Sequence, residues 1–174
     1  SFSPIWHYSP MKDILTSVVL VVLLFPSLAL GEEITMDDLV EREGIYYKKF
    51  TDVPFTGEIT GQMLQGQFKN GKEEGPRVWY HDNGQLFGKG DYKNGKREGP
   101  WVTYHDNGQL GRKGTYKDGK KEGPWISYWD NGLLMYKGVY QDWKREGPWV
   151  SYNKDGTVNE KYTGTYKNGE KISD

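Results

Sequence analysis

From Gly66 onward, apolar and polar positions alternate in short runs, and glycine cuts those runs at fixed intervals. Phe68, Tyr92, Tyr116, Tyr140 and Tyr166 each lead into a polar turn, and Trp101, Trp125 and Trp149 each follow a Gly-Pro pair. Period-2 alternation between turn signals predicts strands, not helices. In one unit, Leu86–Lys93 reads as a strand and Asn94-Gly95 as a tight turn, because both residues tolerate positive φ. Gly99-Pro100 is expected to open the next strand, Trp101–Tyr104, where a missing proline N–H does least harm. Asp106-Asn107-Gly108 then turns the chain back.

The unit recurs every 24 residues, as 66–89, 90–113, 114–137 and 138–163, with a partial fifth copy at 164–174. A fixed short period signals stacked supersecondary units. The expected fold is therefore all-β: an elongated antiparallel meander of tandem β-hairpin repeats. Two departures bear on its regularity. Trp143 stands where the other turns have Gly71, Gly95 and Gly119, and Tyr162-Thr163 is inserted before Gly164. Both put the last full hairpin in question, since a bulky side chain resists positive φ.

Upstream the pattern changes. Residues 32–65 form an N-terminal segment and cap, with strands expected at Ile45–Tyr47 and Val53–Thr60. Thr35 and Asp38 have capping-box spacing for a short helix ending near Gly44. Ile14–Phe25 is apolar apart from Thr16 and Ser17; Met11-Lys12-Asp13 precede it, and Ala29-Leu30-Gly31 follow. Residues 11–31 thus have the layout of a secretory signal peptide, cleaved between Gly31 and Glu32. The alternative is an uncleaved membrane anchor, but Pro26 interrupts a stretch already short of the roughly 20 residues a spanning helix needs. Residues 1–10 precede the expected initiator Met11 and are read as a leader of doubtful origin. The mature chain is expected to be periplasmic or extracellular, touching membrane only through the signal peptide.

Strand stacking turns the repeat into rows of side chains. One row is Trp101, Trp125 and Trp149, with Arg77 in the first copy; a second is Tyr80, Tyr104, Tyr128 and Tyr152; a third contains Tyr92, Tyr116 and Tyr140. Trp and Tyr three apart fall on opposite faces of a flat strand, so either both faces are aromatic or the strand bulges near Gly-Pro. These rings are the candidate binding residues, because Tyr and Trp give rigid area with a polar tip.

Composition narrows the chemistry further. A net charge of −1 lacks the basic excess that nucleic acid requires, and the absence of cysteine removes disulfides from an exported chain. Repetition supplies an internal control: a catalytic residue should differ from the residues in its slot. His81 and His105 share a slot that later holds Trp129 and Asn153, so they read as structural. Glu74, Glu98, Glu122 and Glu146 recur in every copy and are expected to pair across strands with Lys72, Lys96, Lys120 and Lys144. The Asp-Asn-Gly turns lack the distal Glu of a calcium loop. No catalytic residue, cofactor or metal site is expected, and the chain is not read as an enzyme.

The repeated text Gly-x-Tyr-Lys-Asn-Gly-Lys-x-Glu-Gly-Pro-Trp-x-x-Tyr-x-x-Asn-Gly-x-Leu resembles the variant MORN repeat, found in bacterial proteins labelled YwqK-type toxin–antitoxin antitoxins. The resemblance covers Gly66 to Gly169, and Pro54-Phe55-Thr56-Gly57 resembles the partial unit that opens such arrays. It implies a single sheet of hairpins acting as a binding or spacing module, without established catalytic residues. The antitoxin label implies a cytosolic protein beside its toxin, which conflicts with a signal peptide.

The sequence therefore points to a non-enzymatic exported repeat protein that binds another protein. The alternative is a cell-wall or glycan-binding module using the aromatic rows, although choline-binding repeats carry consecutive aromatics where this chain has Trp-Val-x-Tyr. An exposed final edge at Tyr166 would also allow edge-to-edge self-association. N-terminal sequencing of the exported protein should show Glu32 first; an intact Met11 would refute cleavage.

Overall fold

A computed structural model describes residues 33–174; the leader and the Gly31–Glu32 cleavage position lie outside the described residues. Strands β1 (Leu39–Arg42) and β2 (Ile45–Lys48) form a separate two-stranded hairpin. Eleven more strands make one antiparallel sheet in chain order, each beside its predecessor. They are β3 (Gly57–Thr60), β4 (Leu64–Lys69), β5 (Lys72–Tyr80), β6 (Leu86–Lys93), β7 (Lys96–Tyr104) and β8 (Leu110–Lys117). β9 (Lys120–Tyr128), β10 (Leu134–Gln141), β11 (Lys144–Ser151), β12 (Gly164–Lys167) and β13 (Glu170–Ser173) complete the series. This is the long antiparallel meander of hairpins that the periodicity predicts.

Local chemistry sets the turns. Asn94 and Gly95 both take positive φ, 50° and 77°, as a two-residue hairpin of matching twist requires. Asp142 and Trp143 do the same at 54° and 71°, and the β10–β11 hairpin keeps its Gln141–Lys144 register. The expectation that Trp143 spoils this hairpin is therefore corrected. Its N–H donates to the Lys121 carbonyl at 3.2 Å, as Gly119 N–H does to Arg97 at 2.9 Å. Its ring meets Tyr116 edge-on at 5.7 Å, which helps offset the left-handed backbone.

The Tyr162-Thr163 insertion does alter the ladder. β12 is four residues long, and its pairing with β11 stops at Trp149–Gly164. Beyond that point the Thr163 Oγ1 accepts the Ser151 N–H at 3.0 Å, replacing a backbone partner.

Gly-Pro does not open its strand. β7 begins at Lys96, and Gly99-Pro100 lies inside it as a bulge. Between the pairs Lys89–Val102 and Asp91–Glu98, β6 contributes only Gly90 while β7 contributes Gly99, Pro100 and Trp101. Gly99 takes φ 69°, and proline is tolerated because a bulge leaves its nitrogen unpaired. The bulge drops Trp101 onto Gly90, and regular alternation then sends Tyr104 to the other face. Both options left open by the sequence are thus realised together.

The N-terminal segment departs most from expectation. Thr35 N–H and Oγ1 both donate to the Asp38 carboxylate, at 2.8 and 2.9 Å, but the helix is one 3-10 turn, Met36–Asp38. The next residues are strand β1, because Leu39 is buried with Ile59 and Phe68 in a small core. The expected Val53–Thr60 strand shortens to Gly57–Thr60, with Pro54 making only an isolated bridge to Tyr47. Gly71 ties this cap to the first repeat: its carbonyl accepts Tyr46 N–H at 2.8 Å, and its N–H donates to Phe55 at 2.7 Å. Tyr166 is not at the final edge; it lies in β12, and the exposed edge is β13.

A Cβ on Gly114 would overlap the Trp125 indole, whereas a Cβ on Gly123 would meet nothing. Gly114→Ala should lower unfolding free energy by about 1–3 kcal/mol through overpacking. Urea denaturation checks this, and an unchanged midpoint would refute the seating of the indole.

Candidate interaction face

The tryptophans and one tyrosine row belong to a single column. Trp101 meets Tyr92 and Tyr116 at 5.4 Å each; Tyr116 meets Trp125 at 5.1 Å; Trp125 meets Tyr140 at 6.1 Å; Tyr140 meets Trp149 at 4.9 Å. Most contacts are edge-to-face, the favoured electrostatic arrangement of ring quadrupoles. Trp101, Trp125 and Trp149 are buried, each indole lying over a glycine of the preceding strand: Gly90, Gly114 and Gly138. Each Nε1–H donates to a carbonyl of that same strand, Asp91, Thr115 or Val139, at 3.1–3.2 Å. Tyr92 and Tyr140 are half-buried, and Tyr116 is buried. These residues are foremost the sheet's packing layer. Tyr80, Tyr104, Tyr128 and Tyr152 are half-buried and sit outside the column.

The first copy solves the same packing problem with charge. Arg77 takes the tryptophan slot and is buried, with its guanidinium 5.5 Å from the Phe68 ring and 5.6 Å from Tyr92. Glu73, in the slot that later holds Arg97, Lys121 and Arg145, forms the ion pair with Arg77. Burial raises the Glu73 carboxyl above the ordinary value, and Arg77 opposes that shift.

Later copies put a cation over each tryptophan instead. Arg97 lies 4.6 Å from Trp101, Lys121 4.5 Å from Trp125 and Arg145 4.7 Å from Trp149. Arg97 and Arg145 also donate to Tyr116 and Tyr166 hydroxyls at 3.0 Å. Among the described residues none of these three, nor nearby Arg112, makes an ion pair. One face therefore carries four cations, of which Arg97 also feels the half-buried Glu73 carboxylate, while none of the four makes an ion pair among the described residues.

The carboxylates of these strands serve the turns. Glu74, Glu98, Glu122 and Glu146 accept the N–H of Asn94, Asp118, Asp142 and Asn168 at 2.8–3.0 Å. This corrects the expected Glu–Lys pairing: a positive-φ turn leaves a backbone donor exposed, and the Glu of the previous repeat reaches it. The histidine slot works similarly. His81 and His105 ring nitrogens hydrogen-bond the Tyr104 and Tyr128 carbonyls, and Trp129 Nε1–H donates to Tyr152. Asn83, Asn107 and Asn131 Nδ2 donate to the next turn's carbonyls, Asp106, Asp130 and Lys154, at 2.7–2.9 Å.

Two concavities open on the column side. A groove of about 280 Å³ is lined by Trp79, Phe87, Arg97, Thr103, Arg112 and neighbouring column rings. A shallower hollow of about 500 Å³ lies beside Trp143, Arg145 and Tyr162. Sequence reasoning missed Trp79, Phe87, Arg97, Arg112 and Lys121. Comparing every slot across copies would have flagged Trp79 and Arg112, since neither recurs.

Lys121 is the odd cation between Arg97 and Arg145. Burial, then Arg112, Arg97 and Arg145, pull its ammonium from the usual 10.5 to about 8. A lysine whose value falls on folding binds fewer protons folded than unfolded between those limits. Its destabilising contribution is full below about 8 and is relieved as pH rises toward 10.5. Urea midpoints should therefore rise across that window more in the natural chain than in Lys121→Arg; parallel curves would refute the assignment.

No curated protein matches the chain. Among solved structures it aligns with one titled "Crystal structure of GtfA/B complex bound to UDP and GlcNAc", at 10% identity and a TM-score of 0.21. The alignment covers 80% of this chain and 28% of that one, a likeness too loose to bear on function. Residues 73–94, 97–118 and 121–142, three successive hairpins of the sheet, each match the family model described as MORN repeat variant.

Proposed function

We propose that the chain is a non-enzymatic, exported repeat protein that binds another protein through the face carrying the aromatic column. One observation carries this reading: Arg97, Arg112, Lys121 and Arg145 share that face without an ion pair among the described residues, with Glu73 near Arg97 alone, while the glutamates of the later strands are held by turn amides. Unpaired guanidinium groups beside rings are the composition of a binding surface. MORN-type repeats support a binding role. The antitoxin label of YwqK-type proteins is not carried over, because the expected signal peptide separates the chain from a cytosolic toxin.

A glycan partner fits less well. Sugars stack on open ring faces, but Trp125 has Gly114 against one side and the Lys121 ammonium 4.5 Å from its centroid. The exported protein, used as bait in its own cell envelope, should retain a protein partner and release it as salt rises, since the contact is charge-assisted. Retention on purified peptidoglycan without any protein partner would refute the proposal.

A further inference from the structure

The sheet register aligns seven residues across consecutive strands: Trp79, Gly88, Thr103, Arg112, Ser127, Tyr136 and Ser151. Small residues at Gly88 and Thr103 separate a large aromatic at one end from a guanidinium at the other. The ends are three strand spacings apart, about 14 Å. The result is a trough across β5–β8 within the groove of about 280 Å³. Trp101 and Tyr116 border it, and Phe87, whose ring meets His81 edge-on at 5.0 Å, also lines it. Gly88 is held bare because a Cβ there would lie 2.9 Å from the Val102 carbonyl.

The residues that make this trough are those that break the repeat. Trp79 occupies the slot of Thr103, Ser127 and Ser151; Arg112 that of Gly88 and Tyr136; Phe87 that of Gly111 and Met135. Trp79 packs on Trp101 at 5.0 Å and Phe87 meets His81 at 5.0 Å, contacts that the other copies do without. Phe87 is 44% exposed and Arg112 is exposed. Among the described residues Arg112 makes no hydrogen bond or ion pair, and Arg97 engages the Tyr92 and Tyr116 hydroxyls. Glu98 and Glu122 on the strands flanking Arg112 already accept turn amides, and Glu73 is ion-paired with Arg77.

We propose that this trough takes an extended acidic peptide segment, with an aromatic side chain lodged against Trp79 and Phe87 and a neighbouring carboxylate bound by Arg112 and Arg97. The proposal deepens the protein-binding reading and rests on it. Size argues for a side chain: the groove is below the range of most small-molecule pockets and suits one large residue with its neighbour. Charge argues for a carboxylate, because a guanidinium fork matches it in plane and the Arg112 fork makes no ion pair or hydrogen bond among the described residues. Thr103, midway, offers a hydroxyl to the peptide backbone.

The test uses the exported chain and three probes, read by tryptophan fluorescence: a short peptide containing Phe-Glu, its Phe-Gln counterpart, and an oligouronate. The Phe-Glu peptide should bind about tenfold or more tightly than Phe-Gln. Arg112→Tyr and Phe87→Met install residues that Tyr136 and Met135 show the slots accept, and an unchanged thermal melt keeps folding out of the result. Each should weaken Phe-Glu binding by about tenfold. Equal binding of Phe-Glu and Phe-Gln, tighter binding of the oligouronate, or no effect of Arg112→Tyr would overturn the trough assignment. Envelope capture of a protein that survives Arg112→Tyr undiminished would overturn the trough while leaving the protein-binding reading intact. Loss of all capture by the natural chain would overturn both.

Discussion

The structure depends on one contact repeated along the sheet: an indole laid flat on a glycine of the preceding strand and fixed there through its Nε1–H. Trp101 on Gly90, Trp125 on Gly114 and Trp149 on Gly138 each need two things at once. The glycine must have no Cβ, and the tryptophan must be brought down onto it. Gly-Pro supplies the second, since its bulge lets β7 contribute three residues where β6 has one. With the ring seated, the tyrosines of adjacent strands meet its edges, and along the repeats the sheet acquires a core from its own side chains. A single antiparallel sheet ordinarily relies on a second layer to bury a face. Here the rings provide that burial themselves.

That solution places the cations. The outer face of each indole faces outward and attracts Arg97, Lys121 or Arg145, while the glutamates of the same strands are drawn to the turn amides of the next repeat. Charge is thereby sorted between ring face and turn edge even though the whole chain is close to neutral, at −1. The electrostatic character of the column face is a consequence of packing and turn chemistry together. Net charge could not reveal it.

The ends and the exceptions follow the same physics. Arg77 with Glu73 reproduces cation over ring and buried anchor in one pair, where the column meets the Leu39–Ile59–Phe68 core. Arg77 Nε is nonetheless buried without a partner, a cost the tryptophan copies avoid. Trp143 survives at positive φ because the turn's N–H still finds the preceding repeat and the ring finds Tyr116. The helix expected after Thr35 stops after one turn because burial of Leu39 outweighs a capping signal worth roughly 1 kcal/mol.

The repeat, its strand count per copy and its turn types were legible in the sequence, because each rests on interactions between residues close along the chain. Asn94-Gly95 demands positive φ, and Leu86–Lys93 alternates over its whole length, whatever surrounds them. The rows of Trp and Tyr could likewise be read from the period alone. Their role could not: whether Trp125 is a packing ring or an open platform depends on Gly114, eleven residues away in sequence but against its face in space. The Glu row was misassigned for the same reason, since the donor it accepts from is a turn amide about twenty residues on. Trp79 and Arg112 become ends of one trough only through the cross-strand register, which bulges at Gly99–Trp101 and at Gly111 shift by amounts no local pattern encodes. Period and turn chemistry are local and so belong to the sequence; register, ring seating and the sorting of charge are non-local and were decided by the sheet.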